Sequence, residues 1–425
     1  MNLTLAKNYI HKIYFKIVNS SSEVKSRGYQ SIILFSAWIG ALGLNFLGSV
    51  LTTKLLGPSL YGDYKFVQTL WALLTILSTL GFVQSGSRVI LLETNPTNAK
   101  KIIGVVLVLA LIMGIVVGLF TLIIANPVDR FFHTHVALII MALSPLIIGL
   151  TLRDALLLIL QSTNQITLMA ALEFFPSFLY IFCLYGVSKM LSITTGITLA
   201  IQQMTILGTV IVIILVVKPH IGSFWFYIQK IREENKKYGF PIYMGILATT
   251  ATSYINRLSI SYWVDNTAIG FFSLASTITE PLRLIPNAAA ISSFKSFSIQ
   301  EKISKKILWF AIISSLFCLV AALLLIDPVL KLFYSKGFSS VGPMAKILVF
   351  GAIAQGFGDF INRFLGAHGK GKNLRNVAYL VGIINVLGFI FLTPFLGVNG
   401  VVITTVIACL SNFIFMFISY KRFHD

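Results

Sequence analysis

From Ile102 to Ala125 the sequence runs without one charged residue. A helix of that length is long enough to cross the ~30 Å hydrocarbon core of a bilayer, which takes about 20 largely apolar residues. The same criterion marks twelve segments along the chain: 31–53, 64–86, 102–125, 136–160, 168–188, 193–217, 239–263, 267–290, 306–326, 343–366, 375–395 and 398–420. The eighth is the least apolar, because Glu280, Pro281, Arg283 and Pro286 lie inside it. Unbroken runs of this kind exclude a membrane β-barrel, whose strands alternate apolar and polar residues over about ten positions. The predicted fold is therefore an all-α polytopic membrane protein.

Composition agrees. The 425 residues are 56% apolar and 11% charged, with a mean hydropathy of +0.87, whereas a soluble domain is about 25% charged. This apolar content excludes a disordered chain, and a nucleic-acid binder is a poor reading of the net charge of +19 at such hydropathy. The charge has a direction instead. With the N-terminus inside, 22 Lys and Arg fall on the cytoplasmic side. Seven fall outside (Lys54, Lys65, Arg130, Lys189, Lys331, Lys336 and Lys346), and four arginines lie in spans. By the positive-inside bias this places both termini in the cytoplasm, as expected for the bacterial cytoplasmic membrane. Counting acids as well gives +16 inside, +3 outside and zero in the membrane. The basic excess is thus chiefly a topology signal, which also suits anionic headgroups at the inner leaflet.

The chain divides into a basic N-terminal segment (1–30), six spans (31–217), a basic linker (218–238) and six more spans (239–425). The first apolar run is too long for a cleaved signal peptide and reads as a retained span. Cys183, Cys318 and Cys409 sit far apart in apolar runs, with no metal-ligand spacing, and read as packing residues. His133 and His135 belong to an external turn. The stretch Gly366–Asn373 nearly matches a phosphate-binding loop, but it lacks the final Ser/Thr and lies between membrane helices. With no cofactor expected, energy would come from coupling to a proton or sodium gradient, from the membrane potential or from consumption of product.

A weak echo joins the halves. Leu55–Tyr64, between spans one and two, and Val264–Phe272, between spans seven and eight, both close on Gly-x-aromatic; an offset of 208 residues superposes Gly62 on Gly270. Two like bundles around a midplane site is a recurrent transporter design, although Gly-aromatic turns are also common at membrane interfaces.

Several short motifs carry a resemblance across the whole length. They are Leu56-Gly57-Pro58-Ser-Leu-Tyr61-Gly62-Asp-Tyr64, Tyr254-Ile-Asn256-Arg257 with Ile269-Gly270-Phe-Phe272, Leu332-Phe333-Tyr-Ser-Lys-Gly337-Phe338, Gly369-Lys370-Gly-Lys372 and Gly397-Val-Asn-Gly400. In order and spacing the chain resembles the polysaccharide flippase family (Wzx-type O-antigen or capsule repeat-unit translocases) of the multidrug, oligosaccharidyl-lipid and polysaccharide exporter superfamily. Phe272 stands where that family usually has Tyr. The resemblance implies two six-helix bundles around a central cavity and alternating access. It also implies an undecaprenyl-pyrophosphate-linked oligosaccharide as substrate, membrane lipid around it, and polysaccharide polymerase and chain-length proteins as partners. A cation-coupled multidrug antiporter of the same superfamily stays open as an alternative. So does a membrane-embedded polymerase or ligase, against which the short external loops argue.

Ionisable residues inside spans are costly to insert, by about 2.5–3.5 kcal/mol, and usually face a cavity or a partner. Eight occur: Arg153, Arg257, Arg283, Arg363, Asp154, Glu173, Glu280 and Asp359. Glu280 with Arg283 (i,i+3) and Asp359 with Arg363 (i,i+4) share helix faces and are expected to pair locally. Arg153 and Asp154 are adjacent and point about 100° apart, too divergent to pair well with each other. Arg257 has no acid within four residues. With Asn256 it offers a forked donor suited to a pyrophosphate or acidic sugar, unless Asp154, Glu173 or Asp359 reaches it across the bundle. The anion-binding candidates are thus Arg257, Asn256, Arg153, Arg283 and Arg363. Glu173, Asp154, Glu280 and Asp359 are candidates for coupling or charge pairing, and Glu173 has Arg153 as its expected partner. Gln202 and Gln203, mid-span six, read as interhelical hydrogen bonders.

Overall fold

A computed structural model describes residues 3–297, 300–368 and 370–424. The side chains of the basic N-terminal segment and of Lys372, with Gly369, lie outside the described residues. The fold is all-helical: α1 (Leu3–Ser78), α2 (Phe82–Leu92), α3 (Pro96–Phe132), α4 (Ala137–Leu143), α5 (Ile148–Ser162), α6 (Ile166–Ser188), α7 (Thr195–Val217), α8 (Phe224–Glu234), α9 (Phe240–Ile246), α10 (Thr252–Trp263), α11 (Asn266–Phe297), α12 (Lys305–Phe333), α13 (Val341–Ala367), α14 (Gly371–Leu396) and α15 (Val398–His424).

Among the described residues, nine helical segments are long and apolar enough to cross a membrane, and one of them, Ile39–Ser78, holds two spans. Gly57 divides it, with φ +70° next to Pro58. Thr52 and Tyr64 would stand about 18 Å apart on a straight helix, yet both hydrogen-bond Tyr180, so the chain turns back at Gly57. The remaining two spans are interrupted. Span seven is α9 and α10 joined by a π-helical turn at Leu247–Ala251, and span eight is α11 with its two prolines.

Three boundaries differ from the sequence reading. Span two begins at Pro58, so Lys65 stands a turn or two inside it and not in an external loop. The same span breaks at Thr79–Gly81, where Leu80 and Gly81 have positive φ, and resumes as α2. The linker is no open loop, because α8 buries Tyr227 and Ile231 among the side chains of α2, α3 and α5. Arg88–Glu234 (3.0 Å) and Lys230–Glu93 (3.4 Å) clamp it, and Gly81 and Gly239 cross too closely to admit a Cβ. The Asn95 backbone N–H holds the Glu93 carboxyl below its usual value.

Pair contacts give helix directions. Asn45–Ser177 and Gly48–Tyr180 run span one parallel to α6; Gly382 against Ala248 sets span seven beside α14. Spans one and five therefore pack together, as do spans seven and eleven, six further along the chain. In the second half Arg283–Asp359 and Arg363–Asn287 lock α11 to α13, and Gln355–Asn412 ties α13 to α15.

The halves meet at the end far from the linker, hereafter the distal end. Gly62 and Gly270, the two glycines of the sequence echo, lie face to face: a Cβ on Gly270 would stand 3.1 Å from the Gly62 Cα. Around them Asn266 donates to Asp63 (2.6 Å), Ser49 and Tyr334 share a hydrogen bond (2.9 Å), Tyr61 meets the edge of Phe338, and Gly337 abuts Pro58. Thus three of the short motifs scattered through the sequence assemble one closure. At the linker end the one direct hydrogen bond between halves among the described residues is Tyr243 Oη to the Leu77 carbonyl (2.8 Å).

Candidate functional site

Below the distal closure lies a cavity of about 860 Å³ walled by both halves. One wall is a single face of span two: Tyr61, Tyr64, Lys65, Gln68, Thr69 and Ala72 all line it, at helical spacing. The second half contributes Tyr254 and Arg257 of α10, and Ser273 with Ser276 to Leu282 of α11.

Arg257 stands in this wall. No acid pairs with it among the described residues, and its guanidinium carbon lies 5.8 Å from the Tyr254 ring centroid. Lys65, placed outside the membrane by the sequence reading, stands within reach of the Arg257 field. Lys65 donates to Gln68 Oε1 (3.0 Å), lies over the Tyr61 and Tyr64 rings at 5.5 and 5.2 Å, and also has no acidic partner. Two unneutralised cations therefore face one cavity. Sequence reasoning missed Lys65 because Asp63-Tyr64-Lys65 looks like a loop end. The recurrence of polar residues at 61, 65, 68 and 69 was the available signal.

Among the other candidates the expected Arg153–Glu173 pair forms, while most of the rest are sorted differently from expectation. Arg153 Nη2 donates to Glu173 Oε2 at 2.9 Å, and both line the cavity. The adjacent Asp154, expected not to reach Arg153, does approach its Nη1, but only to 3.7 Å, and it stands outside the wall. Of the two expected local pairs, Glu280–Arg283 forms but is outdone by a shorter contact between helices, and Asp359–Arg363 is replaced by one. Arg283 Nε donates to Asp359 Oδ2 at 2.7 Å, against 3.5 Å to Glu280, and Arg363 donates to Asn287 at 2.7 Å and not to Asp359. The reason is geometric: α11 and α13 run parallel and close, so side chains on facing stripes reach each other more directly than along one helix. Arg283 and Arg363 consequently lie outside the cavity wall, while Glu280 lines it. Asn256 also does not join Arg257. Consecutive helical residues diverge by about 100°, and Asn256 is buried in the packing with its Oδ1 unpaired. Gln202 accepts from Gln68 Nε2 across helices, as its position suggested, whereas Gln203 Oε1 is buried in the wall without a partner.

The Arg153–Glu173 pair is part-buried, with side chains 30% and 22% exposed. A double-mutant cycle of Arg153→Met and Glu173→Gln, read by unfolding in detergent, should return a coupling of about 1–3 kcal/mol. A coupling near zero would remove this pair from the structural account.

These observations can be set beside known proteins. A family model described as "Polysaccharide biosynthesis protein" matches residues 29–290, more than half of the chain. The chain belongs to this family. No curated protein sequence matches it. Among solved structures it is similar to the lipid II flippase MurJ in an inward closed conformation, with TM-score 0.77 and 16% identity over 92% of this chain and 87% of that one. A multidrug resistance MATE family transporter of the MOP superfamily matches at TM-score 0.66 in its inward-facing form, with 14% identity over 92% and 98% of the two chains. An outward-facing MATE conformation matches at 0.54, with 14% identity over 93% and 94%. At such identities the likeness is one of fold. The polysaccharide biosynthesis protein thus shares the all-helical fold of a lipid II flippase and of multidrug transporters.

Proposed function

We propose that this polysaccharide biosynthesis protein carries an undecaprenyl-pyrophosphate-linked oligosaccharide repeat unit from the inner to the outer leaflet of the bacterial cytoplasmic membrane, for O-antigen, capsule or a similar surface polymer. The observation that carries this reading is the pair of unneutralised cations, Lys65 and Arg257, in a cavity between two bundles. A diphosphate is the membrane-borne group that two adjacent cations suit best, since charge-assisted bonds to phosphate oxygens are among the strongest available. The linker end, with its basic excess, would face the cytoplasm. The closed distal end and the better match to the inward-facing MATE form support a cavity that loads from inside.

Alternating access is the mechanism that this reading implies. Loading the cations from the cytoplasmic side removes their mutual repulsion, the distal contacts part, and the head group leaves outward. The chain's own contribution is electrostatic and steric, with coupling to an ion gradient or the membrane potential left as the source of direction. A multidrug antiporter carrying organic cations fits less well, because the two charges of the cavity wall without an ion-pair partner, Lys65 and Arg257, are positive.

Depleting the protein should leave unpolymerised lipid-linked repeat units on the inner leaflet, measured by accessibility to an added glycan-modifying enzyme. Their accumulation on the outer leaflet would overturn the reading and point to a polymerase.

A further inference from the structure

The charges of the cavity wall also say something about the sugar. Among the described residues the wall holds five acidic or basic side chains: Lys65, Arg153, Arg257, Glu173 and Glu280. Arg153 and Glu173 neutralise each other at 2.9 Å. Glu280 reaches Arg283 only at 3.5 Å, and Arg283 spends its short hydrogen bond on Asp359. The Glu280 side chain is 52% exposed, so it keeps acceptor capacity toward the cavity.

Helix geometry separates these charges by depth. Counting from the distal helix ends at 1.5 Å per residue, Lys65 and Arg257 lie roughly 10 Å down and Glu173 and Glu280 roughly 21 Å down. The free cations thus form an upper layer, and both carboxylates stand about 10 Å closer to the linker end. A diphosphate esterified at both ends carries two negative charges, which match Lys65 and Arg257 and leave no free cation. A glycan hanging from it toward the linker end passes between Glu173 and Glu280. What surrounds that path is uncharged and hydrogen-bonding: Gln68, Gln202, Gln203, Asn45, Ser177 and Thr277 line the wall. Amides and hydroxyls both donate and accept, as sugar hydroxyls and acetamido groups require.

We infer that the transported glycan is electrically neutral next to the diphosphate, built of hexoses or N-acetylated amino sugars, and that Glu280 rejects uronic and other acidic sugars, while Glu173 holds Arg153 neutralised. This rests on the diphosphate-lipid reading above. The discrimination is of the repulsive kind: a carboxylate on the glycan would meet a like charge with no cation left to offset it.

The test uses the full chain in nanodiscs and three probes: undecaprenyl diphosphate, the same lipid bearing N-acetylglucosamine with a neutral second hexose, and the same disaccharide with glucuronic acid as the second sugar. The neutral glycolipid is expected to bind about tenfold or more tighter than the uronate. Glu280→Gln should narrow that gap from one side. Glu173→Gln, which frees Arg153, should narrow it from the other. Equal binding of the two glycolipids to the unmodified protein overturns the inference while leaving the diphosphate reading intact. Failure of undecaprenyl diphosphate to bind, or binding indifferent to Lys65→Met and Arg257→Met together, overturns both.

Discussion

Arg257→Ala is expected to abolish export while the protein accumulates at its normal level in the membrane. The guanidinium is half of the free positive charge facing the cavity and packs near the Tyr254 ring, with no acid to release on substitution. Removing it should therefore cost little stability, unlike truncating one member of a buried pair. Its loss to function is larger. A charge-assisted hydrogen bond contributes about 1.5–3 kcal/mol and a bidentate fork makes two, so the affinity for the diphosphate head should fall by roughly a hundredfold or more. Arg257→Lys keeps the charge and loses the fork, and should retain partial activity. Lys65→Met should behave like Arg257→Ala, although the sequence alone places Lys65 outside the membrane. Surface polymer together with membrane protein level, measured in cells carrying each variant as the only copy, decides the matter; full export in Arg257→Ala would remove the residue from the site.

Gly62→Leu should have a comparable effect for a different reason. The position faces the backbone carbonyl of Asn266 with no room for even a Cβ, so no side-chain adjustment can relieve the clash. The distal closure would be wedged open, losing the Asp63–Asn266 and Ser49–Tyr334 hydrogen bonds with it. The protein should still fold, because each half keeps its own packing, but the cavity should stay accessible from outside. A cysteine at Thr277 in the cavity wall would report this: membrane-impermeant maleimide added outside intact cells should label it in the Gly62→Leu background and leave it unlabelled with glycine present. Export should fall to background. Unchanged labelling with normal export would show that the distal contacts are not a closure.

The two variants separate binding from access, and each rests on a different level of the structure. Arg257 stood out in the sequence because a charge without a local partner inside a span is costly and therefore conspicuous. Gly62 stood out only as part of a short motif. Its physical meaning, a backbone-to-backbone crossing with Gly270 and Asn266, appears once the halves are set against each other. The other motifs read the same way. Pro58 against Gly337 and Tyr61 against Phe338 are neighbours that hundreds of residues separate along the chain.

Hydropathy, which depends on local composition, carried the all-helical membrane fold and its spans, and with them the short list of in-membrane charges. What composition cannot encode is which partner each charge chooses. The i,i+3 and i,i+4 rule put Arg283 with Glu280 and Arg363 with Asp359; the first pair forms at 3.5 Å, but the parallel packing of α11 and α13 gives Arg283 a shorter bond to Asp359 and turns Arg363 to Asn287. The same limit hid Lys65, whose membership of a span depends on a one-residue turn at Gly57 that hydropathy smooths over. The sequence by itself thus determined an all-helical chain of membrane-spanning segments, because burial of about 20 apolar residues per span is a local energy. Only the tertiary structure decided that Lys65 and Arg257 share one cavity and that Arg283 turns to Asp359, because electrostatic pairing depends on distances between helices.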